Sequence, residues 1–148
     1  AIESSSDRVR MISDEGSRET RFDIVLHPGA VAVVPLHADG SVTLVRQLRY
    51  AVGGRILEIP AGTREADEPW ERCAERELEE EVGLKAGQWT PLTTIYTTPG
   101  FTDERIHLFL ATDLSQGDTG HDHDPGAGGL DKALSASKKI RQNPVIKT

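Results

Sequence analysis

Residues 62–84 read GTREADEPWERCAERELEEEVGL, a stretch crowded with carboxylates, three of them consecutive at Glu79, Glu80 and Glu81. Two kinds of chemistry suit such a run. One is a solvated acidic helix face. The other is a cluster of hard oxygen donors that gathers divalent cations around a polyphosphate. Pro69 suits a first helical turn with Asp67 or Glu68 at the cap, and Gly83 suits a C-terminal stop, so a helix is predicted over 69–82. At about 100° per residue, Trp70, Cys73, Ala74, Leu78 and Val82 form one apolar arc. Glu77 and Glu81 fall inside that arc at i and i+4, and Glu80 falls at its edge. Glu71, Glu75 and Glu79 fall further round and are predicted as solvated charges. Like charges against an apolar wall are costly unless a cation or protons neutralise them. Mg²⁺, with Mn²⁺ as a substitute, suits such a donor set and is often shared with substrate phosphates. Geometry alone leaves both chemistries open.

The spacing is more specific. Gly62 is followed after five residues by Glu68, and after seven more by Arg76-Glu77-Leu78-x-Glu80-Glu81-x-Gly83-Leu84. This resembles the Nudix hydrolase signature at every defining position. The resemblance implies that Glu77, Glu80 and Glu81 are catalytic Mg²⁺ ligands, with the carbonyl of Ala61 as a further ligand. It implies that Glu68 and Arg76 form an internal salt bridge with a structural role. A divalent cation at such a site would lower the pKa of an attacking water and neutralise phosphate oxygens.

Residues outside the signature narrow the resemblance. LEIPAG (57–62), TTPGFTDERIHLFLATDL (97–114), HPGAVAVVPL and VRQLRYAVGG are similar to the ADP-ribose pyrophosphatase branch, and Pro99 stands fifteen residues beyond Leu84, where that branch has a proline. This likeness spans about residues 22–114. It implies hydrolysis of ADP-ribose to AMP and ribose 5-phosphate. It also implies a homodimer in which N-terminal strands cross to the partner. Arg49 matches a phosphate contact, or is an ordinary strand-surface charge. Gly100, Phe101 and Glu104 match a loop near the terminal ribose; alternatively Phe101 is a core aromatic and Glu104 pairs with Arg105 or another base. Two other readings stay open: a Nudix pyrophosphatase for another nucleoside diphosphate sugar or nucleotide, and a module that binds ADP-ribose without cleaving it.

The branch pattern fails in one place. A Glu that serves as base or extra ligand is expected after the ATDL strand, yet SQGDTGHDHDPGAGG (115–129) contains none. Asp122 and Asp124 are the nearest substitutes, and His121 and His123 alternate with them. No apolar run within 115–129 supplies the family's next strand, and a glycine-rich loop is expected there.

These residues need elements to position them. RVRMI and RFDIVL read as short strands around the turn-forming SDEGS. AVAVVPL (30–36) reads as a buried strand, HADGS as a hairpin turn, and VTLVRQLRY (42–50) as the returning strand. RILEIPAG (55–62), 88–100 and 105–114 read as further strands, and LDKALSASKKIRQ (130–142) as a closing helix. The order predicts an α/β (α+β) architecture, a mixed sheet sandwiched between helices. N-terminal strands (1–28) precede a Nudix domain (29–148). With 148 residues, 36% hydrophobic and 28% charged, the chain suits one globular domain with a core. A net charge of −7 disfavours nucleic acid and anionic membranes as partners. One cysteine, Cys73, allows no internal disulfide, and neither an apolar run of membrane-spanning length nor a signal pattern is seen, so a cytoplasmic location is expected.

Overall fold

The computed structural model describes residues 3–13, 16–117 and 131–136. Strands β1 (Glu3–Ser13) and β2 (Gly16–Leu26) form an antiparallel hairpin in continuous register from Glu3 opposite Leu26 to Ser13 opposite Gly16. Both strands were expected, at shorter lengths. Next come β3 (Ala30–Pro35), β4 (Val42–Arg49), β5 (Gly54–Glu58) and β6 (Ala61–Thr63). A single helix, α1 (Trp70–Val82), then leads into β7 (Leu84–Tyr96), β8 (Arg105–Gln116) and β9 (Asp131–Ala136).

The four-stranded sheet runs β6-β3-β8-β7, with β3 and β8 parallel and the other pairs antiparallel. The fold is therefore mixed α+β, as expected, but α1 is the one α-helix among the described residues. β3 is central, and its AVAVVP sequence is buried along most of its length, as an inner strand covered on both faces should be. The core joins Val31, Val33, Phe109 and Ala111 of this sheet to Cys73, Ala74 and Leu78 of α1, with Leu84 at its edge. Trp89 meets Phe109 edge to face.

Three expectations need correction. Asp39 and Gly40 do turn the chain, but β4 leaves β3 after one bridge between Leu36 and Val42. Both edges of β3 are already taken by β6 and β8, so β4 pairs with β5 and β9 in a second sheet. The single strand expected over 55–62 divides at Ile59 and Pro60 into β5 and β6, which belong to different sheets. Pro60 has no N–H for a ladder, but its carbonyl accepts from the Val33 N–H at 2.8 Å. The closing helix is overturned at 131–136, where β9 pairs antiparallel with β4. The rest of that segment, and with it Asp122, Asp124, His121 and His123, lies outside the described residues.

Candidate active site

α1 begins after Pro69, which is extended and supplies no side-chain cap. The expected caps are used otherwise: Asp67 takes a left-handed conformation, and Glu68 turns back to the loop and to Arg76. Gly83 ends the helix at φ 66°, donating to the Glu79 carbonyl, as a left-handed C-terminal glycine does. The helix presents Cys73, Ala74, Glu77 and Leu78 to the core as buried residues. Glu77 is thus inside the apolar arc, 9% exposed. Trp70 anchors the first turn, stacked on His107 of β8 at 3.9 Å with the Arg64 guanidinium 4.5 Å above its ring.

Two carboxylates face β6. A Cβ on Gly62 would fall within the Glu77 carboxylate, so only glycine lets the strand approach this closely. One turn further on, Glu81 accepts a hydrogen bond from the Ala61 N–H at 2.9 Å. Burial, foremost, pushes Glu81 up to about 7; the Ala61 N–H opposes this and the Glu77 charge adds to it. Burial also raises Glu77, against the opposing pull of Arg76. Both are oxygen donors crowded into a poorly solvated groove, where each favours a cation or a proton as partner.

Arg76 binds the acids together. Its Nε and Nη2 donate to the two Glu68 oxygens at 2.9 and 3.0 Å, and its Nη1 donates to Glu77 at 2.8 Å and Glu80 at 3.1 Å. Nη2 also reaches the Thr63 carbonyl at 3.3 Å. The guanidinium holds Glu68 at about 2. Glu80, at the arc's edge, is exposed and turned toward Arg76 rather than toward β6. Among the described residues, no three His, Cys, Asp or Glu side chains already converge as a metal cage. Glu77 and Glu81 nevertheless fit a hard divalent cation by donor chemistry, and Gly62 leaves the room in which the Glu77 carboxylate sits. Of the acids expected to be solvated, Glu71 is exposed, Glu75 pairs with Arg72 and Glu79 pairs with Lys85 at 2.9 Å. Burial pushes the Cys73 thiol up to about 12, which leaves it an inert core side chain.

The proposed substrate residues lie on two segments. Arg49, at the end of β4, grips Glu58 of β5 through Nε and Nη2. Gly100 and Phe101 occupy an exposed turn, so Phe101 is not a core aromatic. Glu104 pairs with neither Arg105 nor solvent alone; it accepts from Thr97 at 2.6 Å and meets His27 Nε2 at 3.4 Å. The His27 Nδ1 accepts from the Gly29 N–H, which leaves Nε2 as the donor toward Glu104. The Val25 N–H donates to the Phe101 carbonyl and the His27 N–H to Asp103, fastening loop 97–104 to the end of β2. Sequence reasoning did not single out His27 or Glu58. Glu58 had a visible signal, a lone acid in the otherwise apolar ILEIPAG.

Comparison with known proteins identifies the domain. The NUDIX domain model matches residues 26–134. An ADP-ribose pyrophosphatase of Bacillus subtilis is 47% identical over 98 residues, covering 66% of this chain and 53% of that protein. One from Mycobacterium tuberculosis is 44% identical over 111 residues, covering 74% and 52%. A GDP-mannose pyrophosphatase of Citrobacter koseri is 35% identical over 89 residues, covering 56% and 46%. The chain thus spans about half the length of the curated relatives it matches. A solved structure described as an ADP compounds hydrolase superposes with a TM-score of 0.70 over 92% of this chain and 74% of that one, at 20% identity, and so shares the fold. With the full signature running from β6 through the loop and α1 to the start of β7, and a domain match across most of its length, the chain belongs to the Nudix family.

Proposed function

We propose that this protein hydrolyses the pyrophosphate bond of ADP-ribose, giving AMP and ribose 5-phosphate with Mg²⁺ as cofactor. One observation carries the proposal: two carboxylates of the signature, Glu77 and Glu81, are packed against Gly62 and Ala61 in a groove that favours neutralisation. The named activity of the relatives at 44 and 47% identity supports the substrate.

Glu77 and Glu81, with Glu80 and the Ala61 carbonyl, would hold the metal. A bound divalent cation supplies charge neutralisation on the phosphates and a more acidic water. The remaining work falls to the chain. Arg76 holds Glu68 and Glu77 in place, and Glu80, now on Arg76 Nη1 at 3.1 Å, would have to leave it to reach the metal. Arg49 offers a guanidinium edge to a phosphate oxygen. Gly100, Phe101 and Glu104 line the terminal ribose on a loop fixed by His27. The N-terminal strands 1–28 form a homodimer arm next to the Nudix domain 29–148, with exposed Tyr50, Val52 and Leu57 as part of the contact. No helix among the described residues is long and apolar enough to cross a membrane. A cytoplasmic location is part of the proposal; a single cysteine, Cys73, suits a reducing compartment.

AMP release from ADP-ribose, followed with and without Mg²⁺, tests the activity. Absence of AMP in the presence of Mg²⁺ overturns it. Similarity to GDP-mannose pyrophosphatases favours a second reading, another nucleoside diphosphate sugar. A substrate panel ranked by kcat/KM decides between them.

A further inference from the structure

Arg49 and Glu58 stand on neighbouring antiparallel strands without being register partners. Arg49 is opposite Gly54, and Glu58 is opposite Val45. Val45, Arg49 and Glu58 share one face, because side chains alternate along strands and register partners lie on the same side. Arg49 and Glu58 are offset by four positions along the sheet, yet the two side chains reach each other. They meet with Nε to Oε1 at 2.9 Å, Nε to Oε2 at 3.1 Å and Nη2 to Oε2 at 2.6 Å. Glu58 is the more enclosed partner, 23% exposed against 46% for Arg49. The grip occupies one edge of the guanidinium and leaves Nη1 outside it. Glu58 stands three positions before Ala61, whose N–H donates to Glu81 at 2.9 Å.

A second acid beside a phosphate site is unfavourable by itself, since it repels the anion. Its presence makes sense if its charge is spent on Arg49. A long arginine fixed by two nitrogens keeps one orientation and loses less side-chain freedom when an anion binds. We propose that Glu58 is a positioning residue, which holds the Arg49 guanidinium so that its Nη1 edge meets a phosphate oxygen of a nucleoside diphosphate. This rests on the assignment of Arg49 as a phosphate contact.

A double-substitution cycle on the full chain tests it. Wild type, Glu58→Ala, Glu58→Gln, Glu58→Asp, Arg49→Met and the Glu58→Ala/Arg49→Met pair are compared in kcat, KM and melting temperature, with ADP-ribose and Mg²⁺. Glu58→Ala is expected to raise KM by about tenfold, with a smaller change in kcat, because a positioned binding group is lost. Glu58→Asp, one methylene shorter, should weaken the grip; Glu58→Gln should recover part of the alanine loss. In the Arg49→Met background Glu58→Ala should change kcat/KM by less than about twofold, because residues acting as one unit are not additive. The same factor in both backgrounds overturns the proposal and gives Glu58 a direct role at metal or water. A wild-type KM unmoved by Glu58→Ala overturns it too. If the alanine variant fails to fold, the near-isosteric Gln carries the cycle. Calorimetric binding of ADP-ribose without metal repeats the cycle independently of turnover. An inactive wild type whose binding still shows the coupling sinks the hydrolase and keeps the positioning role. An active enzyme indifferent to Arg49→Met sinks the positioning role and keeps the hydrolase.

Discussion

Glu81 serves two opposed ends. Its burial places an oxygen donor against β6, and that burial also makes its charged form unfavourable in the metal-free protein. The carboxyl rises from an ordinary value of 4.5 to about 7. Between those values the folded state binds a proton that the unfolded state has released, so stability falls as pH rises through the window, by about 3 kcal/mol at most. Glu81→Gln keeps an acceptor for the Ala61 N–H and removes the charge. Metal-free Glu81→Gln should therefore melt higher than wild type above that window and nearly level with it at the acid end. The same change should lower kcat with Mg²⁺ by at least about a hundredfold, the usual cost of removing a group that stabilises developing charge. A melting curve with unaltered pH dependence would show that Glu81 is not the titrating group; unaltered kcat would remove it from the metal site. Gly62→Ala is a second expected loss, read as reduced Mg²⁺ binding, because its Cβ displaces the Glu77 carboxylate. At this scale the sequence was informative wherever helical period decided the matter. Glu77 and Glu81 stood within the apolar arc, and one is buried while the other is half-buried. Period says nothing of partners across strands, so the grip of Glu58 on Arg49 was not legible; Arg76 and Glu80 are i and i+4 on the helix, and period did place them together.

Arg76 makes the loop before α1 and the helix itself one unit. Its guanidinium holds Glu68 near about 2 instead of 4.5. That stabilisation is present above the unfolded value and is lost as pH falls from about 4.5 toward about 2. Arg76→Met should lower stability by about 2 kcal/mol, within the range for breaking charge-assisted hydrogen bonds, and should flatten the acid limb of stability against pH. Denaturant unfolding at several pH values checks both; a variant whose acid limb matches wild type would assign that limb to other carboxylates. His27 performs a similar office for loop 97–104. His27→Ala should speed amide exchange at Phe101 and Asp103 and raise KM severalfold, while Glu77-dependent metal binding stays intact. Exchange rates equal to wild type would show that the backbone bonds to Val25 suffice. α1 and the order of strands were legible in sequence because capping glycine, proline and apolar period all agreed. β9 was not: DKALSA is short and rich in helix formers, and its strand form comes from pairing with β4, a partner more than eighty residues away. The splitting of residues 55–62 between two sheets was hidden for the same reason.

At the scale of the molecule, apolar side chains remain uncovered beside the site. Tyr50 is 93% exposed, Val52 64% and Leu57 54%, all on the β4–β5 segment that also carries Arg49 and Glu58. Phe22 and Leu26 of the N-terminal hairpin add to the exposed apolar surface. A second copy of the chain is the occupant proposed for this surface. A stable pair needs roughly 800 Å² covered on each partner, and a few large apolar side chains near its centre carry most of the energy. Light scattering of wild type should give twice the chain mass. Charging the centre, with Tyr50→Asp and Val52→Asp together, should give the monomer mass with the secondary structure retained, since both side chains are exposed and not part of the core. If the partner's N-terminal strands complete the substrate site, that monomer should lose kcat/KM for ADP-ribose by at least about tenfold and keep its Mg²⁺ affinity, because the groups at Glu77 and Glu81 come from one chain. A monomeric wild type would dismiss the dimer outright. A monomeric variant with full activity would keep the dimer and show that each chain holds a whole site.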